Sequence, residues 1–322
     1  MTICEQITEF FPIRKTAAQK KAFRQWLLGE VAEMGYTAHI EQNDRGRQQN
    51  VVVGDPEHAA VTFTAHYDTP ATILLPDLQI PRNYAVYLLW QIVTIGGMLL
   101  LSLILGAVIG LLTQNGDLMI LTFFGAFVTL MWLQLSGVAN RNNVNDNTSG
   151  VATLLETMQR IPEENRDQAA FIFFDNMEKG RKGSKAYAHD HLEMQHTRFV
   201  VNVDSVGVGD TFVVAAPSLA VQLPQYAKLE KCLMACPDRT ARFHSSVTTR
   251  MNSDFRSFKC GVGVMACKQV SGVGLYLGDL HTSRDEAADQ GNLTALAEAF
   301  SAFVKHLGGS PKAASLGPDA KE

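Results

Sequence analysis

Two stretches break the alternation of polar and apolar residues that runs through the rest of the chain. Tyr84 to Leu112 (YAVYLLWQIVTIGGMLLLSLILGAVIGLL) covers 29 residues without a charge, and after TQNGD, Leu118 to Leu135 (LMILTFFGAFVTLMWLQL) covers another 18. Neither shows the polar stripe that a helix on a soluble core keeps. At about 1.5 Å per residue, each run can cross a hydrocarbon layer of roughly 30 Å, the second with little to spare. The pattern predicts a two-helix transmembrane hairpin over residues 84–135, which returns the chain to the side it left. Arg82 and Arg141 flank the hairpin, whereas its turn holds only Asp117. The positive-inside rule therefore places both flanks in the cytoplasm, on a multi-pass protein of the cytoplasmic (cell inner) membrane. Tyr84, Tyr87 and Trp90 at the entry, with Trp132 near the exit, suit an interfacial aromatic belt on that side.

Outside the hairpin, helical and extended periodicities alternate. Thr16 to Met34 reads as an amphipathic helix ended by Gly35. Tyr36–Glu41, Asn50–Val53 and, more strongly, Ala60–Ala65 read as strands. A helix at Ser149–Arg160, closed by Pro162, leads to a continuously apolar strand at Ala169–Phe174. Thr197–Val203 and Gly261–Cys267 are further strands, Pro217–Cys236 is helical in part, and Asn292 caps a closing helix that ends at Leu307. This order predicts an α/β fold, a three-layer sandwich with a mostly parallel mixed sheet. It would be formed by residues 1–83 and 136–308, interrupted by the hairpin at 84–135 and followed by a disordered tail at 309–322.

Composition narrows the function. A net charge of −4 on 322 residues, with no recognisable nucleic-acid motif, excludes a nucleic-acid binder. Five cysteines without Cys-x-x-Cys spacing argue against a zinc ribbon and fit a reducing compartment. The amino terminus, MTICEQITEFFPIRKTAAQKK, is too polar and acidic for a secretory signal.

Several predicted strands end in residues that bind metals. His66 and Asp68, two apart on extended chain, point to the same side. A carboxylate there can fix the tautomer and orientation of a metal-binding imidazole. Asp146, in NDNTSG (145–150), stands at a helix start, where an aspartate serves equally as cap or as ligand. Glu178 follows the Ala169–Phe174 strand, Asp204 follows VVNV, and His281 follows YLGDL. Two histidines and three carboxylates at strand ends or helix starts suit two divalent ions bridged by a shared carboxylate.

In the order of these motifs the chain resembles the co-catalytic zinc aminopeptidases of the aminopeptidase Y and bacterial leucyl aminopeptidase type, to which glutaminyl cyclases are related. That family runs H-x-D, D-N-x-S-G, E-E-x-G-x-x-G-S, D, S-D-H or S-D-F, and H. The chain has HYD at 66–68, DNTSG at 146–150, MEKGRKGS at 177–184, Asp204, SDF at 253–255 and His281. The resemblance implies a zinc-exopeptidase-like fold, two zinc ions and a peptide substrate. It makes Asp146 the bridging ligand, with His66 and Asp204 on one ion and Glu178 and His281 on the other. Asp68 would orient His66, and Ser253 and Asp254 would line the far wall of the cleft.

Two departures stand out. Seventy-seven residues, including the hairpin, separate Asp68 from Asp146, where the family has a short connection; such an insertion hangs beside the mouth of the site. Met177 stands where the family has the glutamate that acts as general base. General-base assistance contributes about 10² to 10⁴ in rate. Asp175 would substitute only if the strand end were distorted. The reading is a membrane-anchored di-zinc aminopeptidase weakened by Met177. A non-catalytic metal-binding homologue that holds a peptide is the alternative, and a glutaminyl-cyclase-like acyltransferase a further one.

Overall fold

The computed structural model describes residues 1–76, 78–135 and 137–308; the tail expected at 309–322 lies outside the described residues. The chain enters through α1 (Ile3–Phe10), α2 (Ala17–Glu33) and strands β1 (Ala38–Asn43), β2 (Gln48–Val53), β3 (Val61–His66) and β4 (Ala71–Thr72). The hairpin is α3 (Tyr84–Thr113) and α4 (Gly116–Leu135), followed by β5 (Val138–Ala139), α5 (Gly150–Arg160) and β6 (Ala169–Phe174). Next come α6 (Lys182–Asp190), α7 (Leu192–His196), β7 (Val200–Val203), β8 (Thr211–Ala216), α8 (Ser218–Val221) and α9 (Pro224–Met234). The chain closes with β9 (Thr240–Ser245), β10 (Gly261–Val270), β11 (Gly274–Tyr276) and α10 (Gln290–Leu307).

The sheet runs β1-β2-β6-β3-β7-β10-β8-β9, with β11 beside β10. Parallel ladders hold its centre, β6-β3-β7-β10, and antiparallel pairs β2-β6 and β10-β8 flank it. Every residue of β3, β6 and β7 is buried; β6 is apolar throughout and β7 interrupted only by Asn202, whereas β3 alternates apolar residues with the buried Thr62, Thr64 and His66. The pleat of β6 sorts its side chains between two layers. Phe171 and Phe173 join Phe63, Leu154, Leu155, Phe300 and Phe303 under α5 and α10, whereas Ile172 and Phe174 face Tyr187, Ala188 and Met194 of α6 and α7. The result is the three-layer α/β sandwich that the periodicities predict.

Local chemistry sets the helix ends. Thr16 and Gln19 form a reciprocal capping box on α2, with Gln19 N donating to Thr16 Oγ1 (3.3 Å) and Thr16 N to Gln19 Oε1 (2.9 Å). The closing helix departs from expectation. Asp289, not Asn292, caps α10 by accepting from Gly291 N. Asn292 is buried inside the first turn and donates to the carbonyls of Val206 and Gly209, so a tertiary demand overrides its capping preference.

Both hairpin helices are long and apolar enough to cross a membrane. They are not core helices: 22% of the apolar window of α3 is buried and none of that of α4. The seam between them is made of small residues. A Cβ on Gly106 would lie 2.8 Å from the Met119 carbonyl, and one on Gly110 2.8 Å from Met119 Cβ, so glycine permits the close approach typical of apolar helix pairs. A two-stranded neck, β4 paired with β5, joins the hairpin to the sheet domain between Asp68 and Asp146.

One glycine fixes the helix start that carries Asp146. A Cβ on Gly150 would lie 2.6 Å from the Val203 carbonyl and 2.3 Å from Asn147 Oδ1, whereas one on Gly29 in α2 would meet nothing within 4 Å. Gly150→Ala is expected to destabilise the protein by about 1–3 kcal/mol through overpacking. Gly29→Ala is expected to stabilise it by about 0.5–1 kcal/mol. Thermal unfolding in detergent, with the two variants side by side, reads both signs.

Candidate active site

The parallel order places the carboxyl ends of β6, β3 and β7 side by side, with His66 of β3 level with Phe174 of β6. Sites in α/β folds gather at this edge. His66 is the last residue of β3, Asp204 follows β7 directly, and Glu178 lies four residues beyond β6. The buried turn at Val144–Ser149 brings in Asp146, whose dihedrals (φ −112°, ψ 95°) are not helical.

That turn is tied to the end of β7 by the polar residues of its motif. Asn147 Nδ2 donates to Val203 O (3.0 Å), and Asn147 Oδ1 accepts from Gly150 N and Ser205 N (3.1 Å each). Ser149 Oγ accepts from Val206 N, and Asn145 Oδ1 from Gly207 N. Asp146 is therefore not a helix cap. The backbone N–H groups of Asn145 and Asp146 instead donate to Asp285 (2.7 and 3.1 Å), which frees the Asp146 carboxylate to face two imidazoles.

The other four residues read as ligands converge on Asp146. Its Oδ1 lies 3.3 Å from His66 Nε2, and its Oδ2 lies 2.9 Å from His281 Nε2. Asp204 Oδ1 is 3.8 Å from His66 Nε2, and Glu178 Oε2 is 3.7 Å from His281 Nε2. Two groups result, His66–Asp146–Asp204 and Asp146–Glu178–His281, each with its ligand atoms within 4.8 Å of one another.

The donor set fits cations. His66 Nε2, Asp146 Oδ1 and Glu178 Oε1 are buried and make no hydrogen bond, the first two facing each other at 3.3 Å, which leaves all three available to a further group. Burial opposes charge on His66, yet the carboxylates of Asp146, Asp204 and Asp68 hold its pKa well above the usual imidazole value. Burial, and then the charge of Asp146, push the Glu178 carboxyl up to about 8 against the opposing pull of His281. A cation in place of those protons reverses both directions.

Around this set lies a supporting frame. Asp68 accepts from Met177 N (2.9 Å) and Glu178 N (3.2 Å), and its Oδ1 lies 3.6 Å from His66 Nδ1. It thus joins the imidazole of one group to the turn that carries Glu178 of the other. Burial would raise its pKa, but His66 foremost, with Lys20 and the Met177 N–H, holds it down. Ser253 donates to Asp204 Oδ2 and accepts from Asn202 Nδ2. Asp254 sits one layer back, fully buried, accepting from Ser184 Oγ at 2.5 Å, and burial pushes it up to about 7.

Asp175 does not stand in for the missing glutamate. Strand β6 ends at Phe174, and the Asp175 carboxylate is bound to Lys20 Nζ (2.6 Å) and Gln49 N (3.3 Å). Both members of the ion pair are buried, so Asp175 serves as a counter-ion inside the frame.

Two residues went unread in the sequence. Asp285, in the HTSRD run, received no role there, and Arg14, wholly buried, carries no local signal at all. Arg14 donates to Tyr67 O, Phe11 O, Asn143 Oδ1 and Thr148 Oγ1, placing a cation behind Asp68 and Asp146. Its partners at Tyr67, Asn143 and Thr148 lie more than 50 positions away, which no periodicity reveals.

Fold and site together define an α/β protein with two His/Asp/Glu groups that could each hold a metal ion and that share one carboxylate at the edge of a parallel ladder. Residues 136–304, more than half of the chain, match the model of peptidase family M28, and the chain belongs to that family. The match includes Asp146, Glu178, Asp204 and His281; His66 and Asp68 precede it and are supplied by β3 and its end.

Among solved structures, the chain is similar to a glutaminyl cyclase of Porphyromonas gingivalis, with TM-score 0.58 and 14% identity over 95% of this chain and 96% of that one. It is similar to the LapA aminopeptidase of Legionella pneumophila, with TM-score 0.58 and 13% identity over 96% and 68%. A glutaminyl cyclase of Bacteroides thetaiotaomicron, bound to N-acetylhistamine, gives TM-score 0.57 and 13% identity over 94% of each chain. At these identities the likeness is one of fold. No curated protein matches the chain in sequence.

The shared carboxylate makes a quantitative expectation. Asp146→Asn should lower metal occupancy in both groups, because one side chain serves each, whereas Glu178→Ala should mainly empty one. Elemental analysis of the purified variants tests this, and equal loss from both groups in Glu178→Ala would rule out the shared arrangement.

Proposed function

We propose that the chain is a membrane-anchored di-zinc peptidase that removes residues from the amino termini of peptides, with its base position occupied by Met177. The observation that carries this reading is the pair of three-residue groups meeting at Asp146, in which His66 Nε2, Asp146 Oδ1 and Glu178 Oε1 are buried and make no hydrogen bond. Bound zinc ions would polarise the scissile carbonyl and acidify the attacking water. His66 and Asp204 would hold one ion, Glu178 and His281 the other, and Asp146 both. Asp68 keeps the His66 ring oriented and the 177–178 turn in place.

In this reading residues 1–83 and 136–308 form the catalytic domain, carried on the hairpin at 84–135 in the cytoplasmic membrane and facing the cytoplasm. Support comes from Leu100, Leu111, Leu112 and Leu121, which project 58–76% exposed from the hairpin, an apolar surface that water does not tolerate. A tag at Asn115 should be cleaved by external protease in spheroplasts while a carboxy-terminal tag stays protected. The reverse pattern would invert the orientation.

Met177 favours a second reading, in which the cleft holds a peptide without cutting it. Its side chain offers no proton acceptor, although its backbone N–H makes the contact to Asp68. Met177→Glu is expected to raise hydrolysis of unblocked peptides, but not of N-acetylated ones, by about 10² to 10⁴, mainly in kcat. Met177→Gln should leave the rate unchanged. Equal inactivity of both variants with their metals bound would establish the peptide-holding reading instead; cyclisation of amino-terminal glutamine without hydrolysis would point to acyl transfer.

A further inference from the structure

A cavity of about 670 Å³ lies between the ligand groups and the base of the hairpin. Asp68, Glu178 and His281 line one part of it, and Trp90, Ile95 and Met98 of α3 with Met131 and Leu135 of α4 line another. Its volume falls within the roughly 300–1,000 Å³ of pockets that enclose a small ligand. The hairpin wall is fixed in place. Trp90 Nε1 donates to Pro76 O (3.0 Å), and Gln134 clasps the Leu75 backbone with two bonds of 2.9 Å.

The charge on the rest of the lining is one-sided. Lys15, Lys20, Lys179 and Arg250 line the cavity, whereas the acids among its described lining residues are Asp68 and Glu178. Neither acid is spare: Asp68 is engaged by His66 and two backbone N–H groups, and Glu178 belongs to a ligand group. Lys20 is spent on Asp175. A cleft with one sign of charge between low-dielectric walls draws in the opposite sign.

Arg250 is the base best prepared to meet an anion. Its guanidinium carbon lies 3.2 Å from the centre of the Tyr87 ring in the first turn of α3, and its backbone N–H donates to Pro81 O (2.8 Å). Stacking occupies the flat face of a guanidinium and leaves its N–H edge unspent. On that edge, Nη1 reaches Gln79 Oε1 at a long 3.4 Å. Nε and Nη2 bond nothing among the described residues, and neither is sealed from water. The side chain is thus an immobilised fork of donors, the geometry that a carboxylate accepts.

Resting on the peptidase reading for the ligand end, we propose that the cavity takes short peptides whole and that Arg250 reads their free carboxylate. The amino terminus lies at the ligand groups, the carboxylate meets the Arg250 fork, and apolar side chains lie against α3 and α4. Arg250 is then a specificity-determining residue braced by the hairpin, which gives the insertion a part in substrate choice.

The test uses the full chain, native at Met177 and loaded with zinc, in nanodiscs of phosphatidylcholine. Calorimetry compares Leu-Gly-Gly with its carboxamide, which lacks only the terminal charge. The free acid is expected to bind about tenfold to 100-fold more tightly, as hydrogen bonds to a charged group allow. Arg250→Gln should abolish this preference by weakening the acid alone. Arg250→Lys, which keeps the charge without the fork, should restore part of it. Arg242→Gln, which removes an equal charge from an exposed position on β9, should affect neither peptide. Leucine followed by five glycines spans about 20 Å when extended, too long for the pocket, and should show no preference for the acid.

Equal binding of acid and carboxamide overturns the proposal, as does a preference that survives Arg250→Gln or persists at six residues. Equal weakening of both peptides in Arg250→Gln leaves Arg250 a structural role only and overturns it too. Loss of the preference in phosphatidylserine nanodiscs makes Arg250 a reader of lipid headgroups, the outcome that moves the site to the membrane surface and ends the proposal. The two readings fail separately. An Arg250-dependent preference with no hydrolysis even in Met177→Glu keeps the carboxylate site and removes the peptidase. Hydrolysis by Met177→Glu with the same KM for acid and carboxamide does the opposite.

Discussion

The fold of this chain is organised around a concentration of negative charge that no protein interior holds uncompensated. Asp68, Asp146, Asp204, Asp254 and Asp285 are all buried within the layers meeting at the carboxyl edge of β3 and β7, and Glu178 joins them. Moving isolated carboxylates out of water costs several kcal/mol each even after relaxation. The chain answers with Arg14 behind Asp68 and Asp146, Lys20 against Asp175 and near Asp68, and backbone N–H groups on Asp68 and Asp285. These do not reach His66 Nε2, Asp146 Oδ1 or Glu178 Oε1. The remaining deficit lies at the atoms that divalent cations would occupy.

Much of this was legible in the sequence, because the ligands sit where strong local patterns stop. The apolar runs of β6 and β7 and the strict alternation of β3 identify themselves, and the residues at or just past their ends fall at the edge where α/β folds build sites. What the pattern does not carry is the answering charge. Arg14 lies on a loop and owes its role to partners on two distant segments. Asp175 looks like a spare carboxylate until Lys20, 155 positions away, is seen to hold it. Asn292 reads as a cap by local preference and is taken instead by the carbonyls of Val206 and Gly209. In the outer strands, β9 lies half-exposed at the sheet edge, and its alternation presents only Ala241 and Phe243 to the core, a short and weak signal.

The hairpin illustrates the same division between local and distant causes. Length and lack of charge identify the two helices, and Ser102, Gly106 and Gly110, four apart, identify the face that packs. Nothing local indicates that the same face, continued toward the domain through the buried Met98 and Thr94, borders the cavity that Asp68, Glu178 and His281 also line. That geometry follows from the neck. β4 and β5 tie both ends of the insertion to the loops that bear Asp68 and Asp146, so the hairpin cannot drift from the site.

Position 177 separates two duties that are usually read as one. The backbone N–H of Met177 donates to Asp68, and with Glu178 N it fixes the turn that aims Glu178 at His281. This duty is indifferent to the side chain, so a methionine leaves the ligand frame as intact as a glutamate would. The chemical duty, accepting a proton from water, belongs to the side chain alone and is absent. Retention of all five ligand positions is thus compatible with a weakened hydrolase and with a peptide-holding protein alike. What distinguishes them physically is whether the cleft stabilises a transition state or only a bound peptide. The frame, built through backbone and buried charge, would support either.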